Sequence, residues 1–299
     1  MNRTLVLASL TLAVLVQPAL AQEQPAKLRP VAEQIGAGGR PAGAPWSRSP
    51  VYARNGMAAT AHPLATQIAL DVLKAGGNAV DAAIAANAAL GLMEPTGNGI
   101  GGDLFAIIYD PKTGKLRGLN GSGRSPRGQT LKQLKAKLGN AKSLPPLGAL
   151  PVTIPGTVDA WFTMHAKFGS KPMAELLAPT IRYAREGHPV APVIAEYYRR
   201  ALRNFEANSA KFDFSNARKT WFANGASPKA GEVFRNPDLA GTLERIAQNG
   251  RDEFYRGQSA RVMVDYLKRQ GSTYTLEDFA AHRSDWFEPA CVTYRKGYE

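Results

Sequence analysis

Cysteine is almost missing. The single thiol, Cys291, rules out any intramolecular disulfide and reads as a small apolar residue of the interior. Histidine is scarce too. His62, His165, His188 and His282 are scattered, none at H-x-x-x-H spacing and none beside a cysteine, so the sequence carries no metal signature and no cofactor is expected. A serine-hydrolase elbow is absent, because the GSGRS run around Ser122 has Asn120 where G-x-S-x-G needs its first glycine. No long hydrophobic run is present either. Leu5 to Val16 is the best candidate and is too short to span a bilayer comfortably.

That short apolar run has another reading. Arg3 precedes it and Ala19-Leu20-Ala21 follows, the pattern of a secretory signal peptide over residues 1–21. Export without disulfides suits a bacterial periplasm, so the mature chain is expected to be periplasmic or secreted, with no membrane span. Residues 22–50 are rich in Pro, Gly and Ala without a period and read as an extended arm or linker. The net charge of +13 is spread along the chain. Its densest run, LKQLKAKLGNAK, reads as a surface helix with a lysine face, opened by a Thr130/Gln133 capping box and stopped at Gly139. No aromatic is interleaved among those lysines, so a nucleic-acid surface is not expected.

From residue 51 the pattern becomes that of a mixed helix-and-strand domain. Pro63 opens a helix with Leu64, Ile68 and Val72 on one stripe and Gly76-Gly77 at its end. Asn78 and Asp81 start a second, alanine-rich helix that Pro95 stops, and its small side chains predict burial. GNGIGG follows at Gly97–Gly102 and fits G-x-G-x-x-G as letters. The dinucleotide fingerprint needs a strand before the glycines and a helix after them. Here the order is helix, glycines, then the strand signal DLFAIIYD with a turn into KLRGLN. An NAD site is therefore excluded, and the glycines read as a tight passage into a central strand where side chains would clash.

Further along, GALPVTIP reads as a strand, broken at Pro155-Gly156 before a helix with Val158, Trp161, Phe162 and His165. PMAELLAPTIRYAREG, NPDLAGTLERIAQNG, SARVMVDYLKRQG and TLEDFAAH read as helical segments. EPACVTYRKGYE reads as a strand that stops with unpaired edges, which makes the chain a fragment in this reading. Among candidate binding groups, Arg124 lies just past the KLRGLN strand, where a guanidinium can hold a carboxylate by a two-pronged contact or face solvent.

The stretch AHPLATQIALDVLKAGGNAVDAAIAANAALGLMEPTGNGIGGDLFAIIYD strongly resembles the start of the γ-glutamyltransferases, and the likeness continues through IPGTVDAW, ELLAPTIRYAREG and NPDLAGTLERIAQNGRDEFYRG to the end. The resemblance implies an α+β, four-layer αββα sandwich of the N-terminal-nucleophile hydrolase type, incomplete in this chain, with residues 51–299 as the N-terminal part of a large subunit. It also implies γ-glutamyl transfer and hydrolysis on glutathione-like amides. The attacking threonine would begin a small subunit after self-cleavage and lie beyond Glu299, so no catalytic residue is nominated and Thr293 is set aside. That small subunit and a small-molecule amide are the implied partners. Two departures bear on substrate. Asp103-Leu104 replaces the family's last Gly pair, and the carboxylate-binding arginine of R-E-x-A-P falls at Ser122, leaving Arg124 two residues late, about 7 Å on if the segment is a strand. Ser122 and Arg124 are thus the substrate-binding candidates. An amidase for other acyl groups, such as glutaryl, is the alternative, and an inactive binding or truncated protein is a third reading.

Overall fold

The structure is a computed structural model that describes residues 51–293. The signal-peptide and arm segments, residues 1–50, lie outside the described residues. Two helices begin the fold, α1 (Pro63–Lys74) and α2 (Ala79–Met93). His62 caps α1 through its ring, Nδ1 accepting from the Leu64 N–H at 3.2 Å. Asn78 and Asp81 form the expected capping box on α2. The box also fastens α2 to a distant loop, because Asp81 accepts from the Ser170 amide at 3.0 Å and its hydroxyl at 2.5 Å. Burial pushes the Asp81 carboxyl up, but these hydrogen bonds outweigh it and hold the carboxyl below its usual range. As the alanines predict, α2 is central. Ile84, Leu92 and Met93 are fully buried, each contributing about 1.5–3 kcal/mol of apolar transfer energy.

After α2 come the hairpin strands β1 (Phe105–Asp110) and β2 (Lys115–Asn120), paired antiparallel in the register Phe105↔Asn120 to Asp110↔Lys115. Near the end of the described chain, β5 (Asp285–Phe287) pairs with β2, so among the described residues the sheet order is β1–β2–β5. Among the described residues the strand entered from the glycines is thus at the edge of this sheet, and β2 is the middle one. One face of β1 is covered only through Ala106 and Ile108, while Phe105, Ile107 and Tyr109 on the other face are 62–69% exposed. Leu116 and Phe287 continue that exposed apolar face across the sheet.

Between β2 and β5 the chain is mostly helical. α3 (Leu131–Leu138) is the expected lysine-faced surface helix with a Thr130/Gln133 capping box and has no buried residue. α4 (Thr157–Phe168) and α5 (Met173–Glu186) follow, then the short β3 (His188–Pro189). α6 (Pro192–Asn208) and α7 (Ser215–Trp221) lead to β4 (Val233–Phe234), which pairs with β3. α8 (Pro237–Asn249), α9 (Arg251–Tyr255), α10 (Gln258–Arg269) and α11 (Leu276–Ala280) complete the set. One apolar core joins α2, α4, α5, α8, α9 and α10 to the inner face of the sheet.

Three readings are corrected. GALPVTIP is not a strand. Pro151 and Pro155 cannot donate, and the backbone between them pairs irregularly, with Ile154 N–H donating to Arg124 O and the Tyr274 hydroxyl to Val152 O. EPACVTYRKGYE is not a strand as far as it is described. Pairing ends at Phe287, Pro289 removes a donor two residues on, residues 288–293 are irregular, and 294–299 lie outside the described residues. Cys291 falls in that irregular stretch and is exposed rather than interior.

Candidate functional site

The glycine-rich passage is not the crowded turn that the sequence suggests. A Cβ placed on Gly99 or Gly101 would meet nothing within 4 Å, and one on Gly97 or Gly102 would make only ordinary contacts. None of these four has a positive φ. Instead of threading a crowded gap, Gly97 to Asp103 forms one wall of an open cavity of about 500 Å³, with Trp221, Asn236 and Leu239 on the other side. The crowded glycines are elsewhere. A Cβ on Gly123 would overlap the carbonyl oxygen of Ile154, and one on Gly156 that of Gly121. There the loop after β2 packs backbone to backbone against the segment leading into α4.

The cavity wall is held from behind. Asn98 accepts the Gly99 N–H at 2.8 Å and donates to Asn87 O on α2 at 3.2 Å, while Trp161 of α4 donates its indole N–H to the Asn87 side chain at 2.8 Å. At the far end, Gly102 O accepts from the Gly156 and Thr157 amides and the Thr157 hydroxyl at 2.9–3.0 Å. Gly156 has no side chain to cap α4, so this carbonyl satisfies amides that a helix N-terminus leaves free. The opposite wall is equally anchored. Trp221 stacks on Phe234 at 5.4 Å, and the Asn236 side chain caps α8.

Asp103 links this wall to the loop that carries both candidate binding residues. Its carboxylate accepts the Gly123 N–H at 2.9 Å and the Ser122 hydroxyl at 3.2 Å. The Ser122 amide itself donates to Asn120 Oδ1 at 2.8 Å, an Asx turn that ends β2. Arg124 comes two residues later and turns to the neighbouring strand, its guanidinium 3.1 Å from Asp285 on β5 with both side chains largely exposed. Neither Ser122 nor Arg124 lines the cavity: Ser122 is joined to its wall through the hydrogen bond to Asp103, and Arg124 is turned to Asp285. Sequence reasoning noted Asp103 only as a departure from a family pattern. Its pairing with Ser122 and Gly123 spans about twenty residues and had no local signal.

Behind the loop lies a buried polar anchor. Asp159, at the start of α4, accepts from the Ser284 amide and hydroxyl at 2.6 Å each and from Arg251 Nε. Burial raises its carboxyl, but the bonds from Ser284 and Arg251 prevail and keep it below the ordinary carboxylate range. Arg251 also lies 4.4 Å over the Tyr255 ring, and Tyr255 donates to Pro155 O at 2.7 Å. Ser284 immediately precedes β5, so the anchor sets where Asp285 meets Arg124.

What the cavity presents is chemically limited. Its lining is backbone, aliphatic groups, two amides, an indole and one carboxylate, which can bind and orient a small molecule but offer no activated nucleophile. Among the described residues no group of His, Cys, Asp and Glu could hold a metal ion, and no helix is long and apolar enough to cross a membrane.

Comparison with known proteins bears on this arrangement. Residues 65–299 match the family Gamma-glutamyltranspeptidase. The chain is 35% identical over 244 residues to the glutathione hydrolase-like YwrD proenzyme of Bacillus subtilis, covering 81% of this chain and 44% of that protein. Among solved structures, it is similar to a cephalosporin acylase from Bacillus halodurans, with 44% identity and a TM-score of 0.78 over 86% of this chain and 48% of that one. It is also similar to the γ-glutamyltranspeptidase of Helicobacter pylori, with 32% identity and a TM-score of 0.76 over 83% of this chain and 69% of that one. The chain spans less than half the length of the curated relatives that it matches.

Proposed function

The chain belongs to the γ-glutamyltranspeptidase family, and from that premise we propose that residues 51–299 form the N-terminal part of the large subunit of an enzyme that transfers or hydrolyses γ-glutamyl groups of small amides. The observation that carries this reading is the pinned cavity wall from Gly97 to Asp103, tied through Asp103 to the Ser122–Arg124 loop. It offers recognition without attack. The attacking group is then a threonine at the start of a small subunit, released when the proenzyme cuts itself, with its own α-amine as base. The amine takes the hydroxyl proton, the oxygen adds to the amide carbon, and the leaving amine departs with that proton as an ester forms. Water or an amino acid then takes the acyl group.

The exposed apolar face of the sheet supports the same picture. Phe105, Ile107 and Tyr109 are too large and too clustered for an ordinary surface, and a second sheet packed about 10 Å away would bury them. That packing is the inner half of a four-layer αββα sandwich. The signal-like start of the chain supports action outside the cytoplasm.

A second reading, an amidase for other acyl groups such as glutaryl, is favoured by Arg124, whose guanidinium stands outside the cavity lining and is engaged by Asp285. The test uses the full-length, self-processed protein with γ-glutamyl- and glutaryl-p-nitroanilide. Faster cleavage of the γ-glutamyl compound supports the first reading. Equal rates show that the amino-acid head is not recognised and favour the second, and turnover of neither overturns both.

A further inference from the structure

Between Asp110 and Asp159 the chain carries no aspartate or glutamate, and lysines collect on α3 and just beyond it. Lys132, Lys135 and Lys137 lie on α3 and Lys142 follows. All four are exposed, and none has a carboxylate at ion-pair distance among the described residues. Like charges three residues apart on a helix repel, so this face gains by meeting anions. A second basic end lies beside it. Lys137 Nζ donates to Gly271 O at 3.5 Å, and Gly271 lies two residues past α10, whose last turn carries the exposed Lys268 and Arg269. Asp213 borders this patch with both oxygens engaged, one by the Ser215 amide at 2.9 Å and one by the Gln270 side chain at 3.4 Å.

The helix is also apolar where a purely solvated one need not be. Leu131, Leu134 and Leu138 form one stripe at helical spacing, and the lysines fall on either side of it. Leu134 and Leu138 are half-buried, Leu131 is 67% exposed, and no residue of α3 is buried. Lysines flanking an exposed leucine are the chemistry of a helix at a membrane interface, where the stems lie along apolar surface and the ammonium groups reach the phosphates.

We infer that α3 and the basic end of α10 form a surface that holds the protein against a bilayer of anionic phospholipid. The lysines meet the headgroup phosphates, and Leu131 enters the headgroup boundary. The exposed leucine favours a bilayer over a soluble acidic polymer, which has no apolar layer to receive it. The signal-like start of the chain, which would carry it across such a membrane, agrees. The inference is independent of the substrate reading, because it uses no residue of the glycine-walled cavity.

The experiment is cosedimentation of the full-length, self-processed protein with vesicles of phosphatidylcholine, alone or with about 30% phosphatidylglycerol, at about 0.02 M and about 0.5 M salt. Wild type is expected to bind the anionic vesicles at least tenfold more tightly than the neutral ones at low salt and to lose that binding at high salt. The triple variant Lys132→Gln/Lys135→Gln/Lys137→Gln should lose at least tenfold in affinity. The charge-matched control Lys112→Gln/Lys115→Gln/Lys229→Gln should lose less than twofold. Leu131→Gln should weaken vesicle binding severalfold and leave binding to soluble polyglutamate unchanged. The double variant Lys132→Gln/Lys135→Gln replaces the triple one if that fails to process. No preference for anionic vesicles overturns the inference. Equal losses in the two triple variants overturn it in favour of net charge, and a silent Leu131→Gln overturns it in favour of an acidic polymer.

Discussion

Asp159 and Ser284 are 125 residues apart in the chain and joined by two hydrogen bonds, the backbone N–H and the hydroxyl of Ser284 each 2.6 Å from Asp159 Oδ2. With Arg251 on the other oxygen, this carboxylate ties α4, α9 and the start of β5 together. It is 1% exposed and Arg251 17%, so removing it strands a mostly buried guanidinium. Asp159→Ala should therefore cost about 3–5 kcal/mol in urea unfolding, and Ser284→Ala about 1–2 kcal/mol. A loss under 1 kcal/mol in the aspartate variant would show that β5 is held by something else.

The glycines separate into two classes that a short mutant series can distinguish. Gly123→Ala and Gly156→Ala place a methyl against a backbone carbonyl that cannot move without its neighbours, and each should lose at least about 1–3 kcal/mol of stability. Gly99→Ala and Gly101→Ala place it in open space without positive φ, and their melting temperatures should stay within a few degrees of wild type. Equal destabilisation in both classes would remove the distinction.

His188 is buried beside His62, their rings 6.4 Å apart, and burial, with a further contribution from His62, holds its imidazole at about 4 against an ordinary 6.5. The unfolded chain takes up this proton first. Stability from His188 is thus complete above about pH 6.5 and is lost as pH falls toward 4, by about 3 kcal/mol in total. In denaturant titrations at pH 7 and pH 4.5, His188→Phe should lose about 2 kcal/mol less than wild type between the two. An identical pH dependence in the variant would assign the effect to other groups.

Arg124 and Asp285 form an exposed pair, and such pairs contribute about 0–1 kcal/mol to stability. Arg124→Gln should therefore leave the unfolding midpoint nearly unchanged. If the guanidinium reaches the head carboxylate in the assembled enzyme, the variant's kcat/KM on γ-glutamyl-p-nitroanilide falls about 10- to 100-fold, the equivalent of a charge-assisted hydrogen bond. Unchanged kinetics would place Arg124 outside substrate binding.

Purified residues 22–299 should show no amide turnover, because the cavity lining holds groups that bind rather than attack. Measurable release of p-nitroaniline by this chain alone would require a nucleophile among its own residues.

Much of the local architecture was legible from short-range chemistry. Pro63 after His62, the Asn78/Asp81 and Thr130/Gln133 boxes, and Gly139 as a stop each act within one helical turn, so the sequence displays them directly. The helix–glycine–strand order was equally local, and it runs opposite to the order that a dinucleotide fingerprint needs. The family resemblance was legible as well, since many motifs recur in order. Less was legible wherever the deciding contact was distant. GALPVTIP looked extended and β-branched, but its prolines left no ladder to join, and its partners were Arg124 and Tyr274.

The order of elements and their caps were thus determined by residue type and spacing alone. Which glycines are crowded, which side of β1 stays open, and the meeting of Asp103 with Ser122 were decided only in three dimensions. Those features depend on what lies across a gap of twenty to more than a hundred residues, and backbone overlap, burial and charge pairing exist only once the chain has closed that distance.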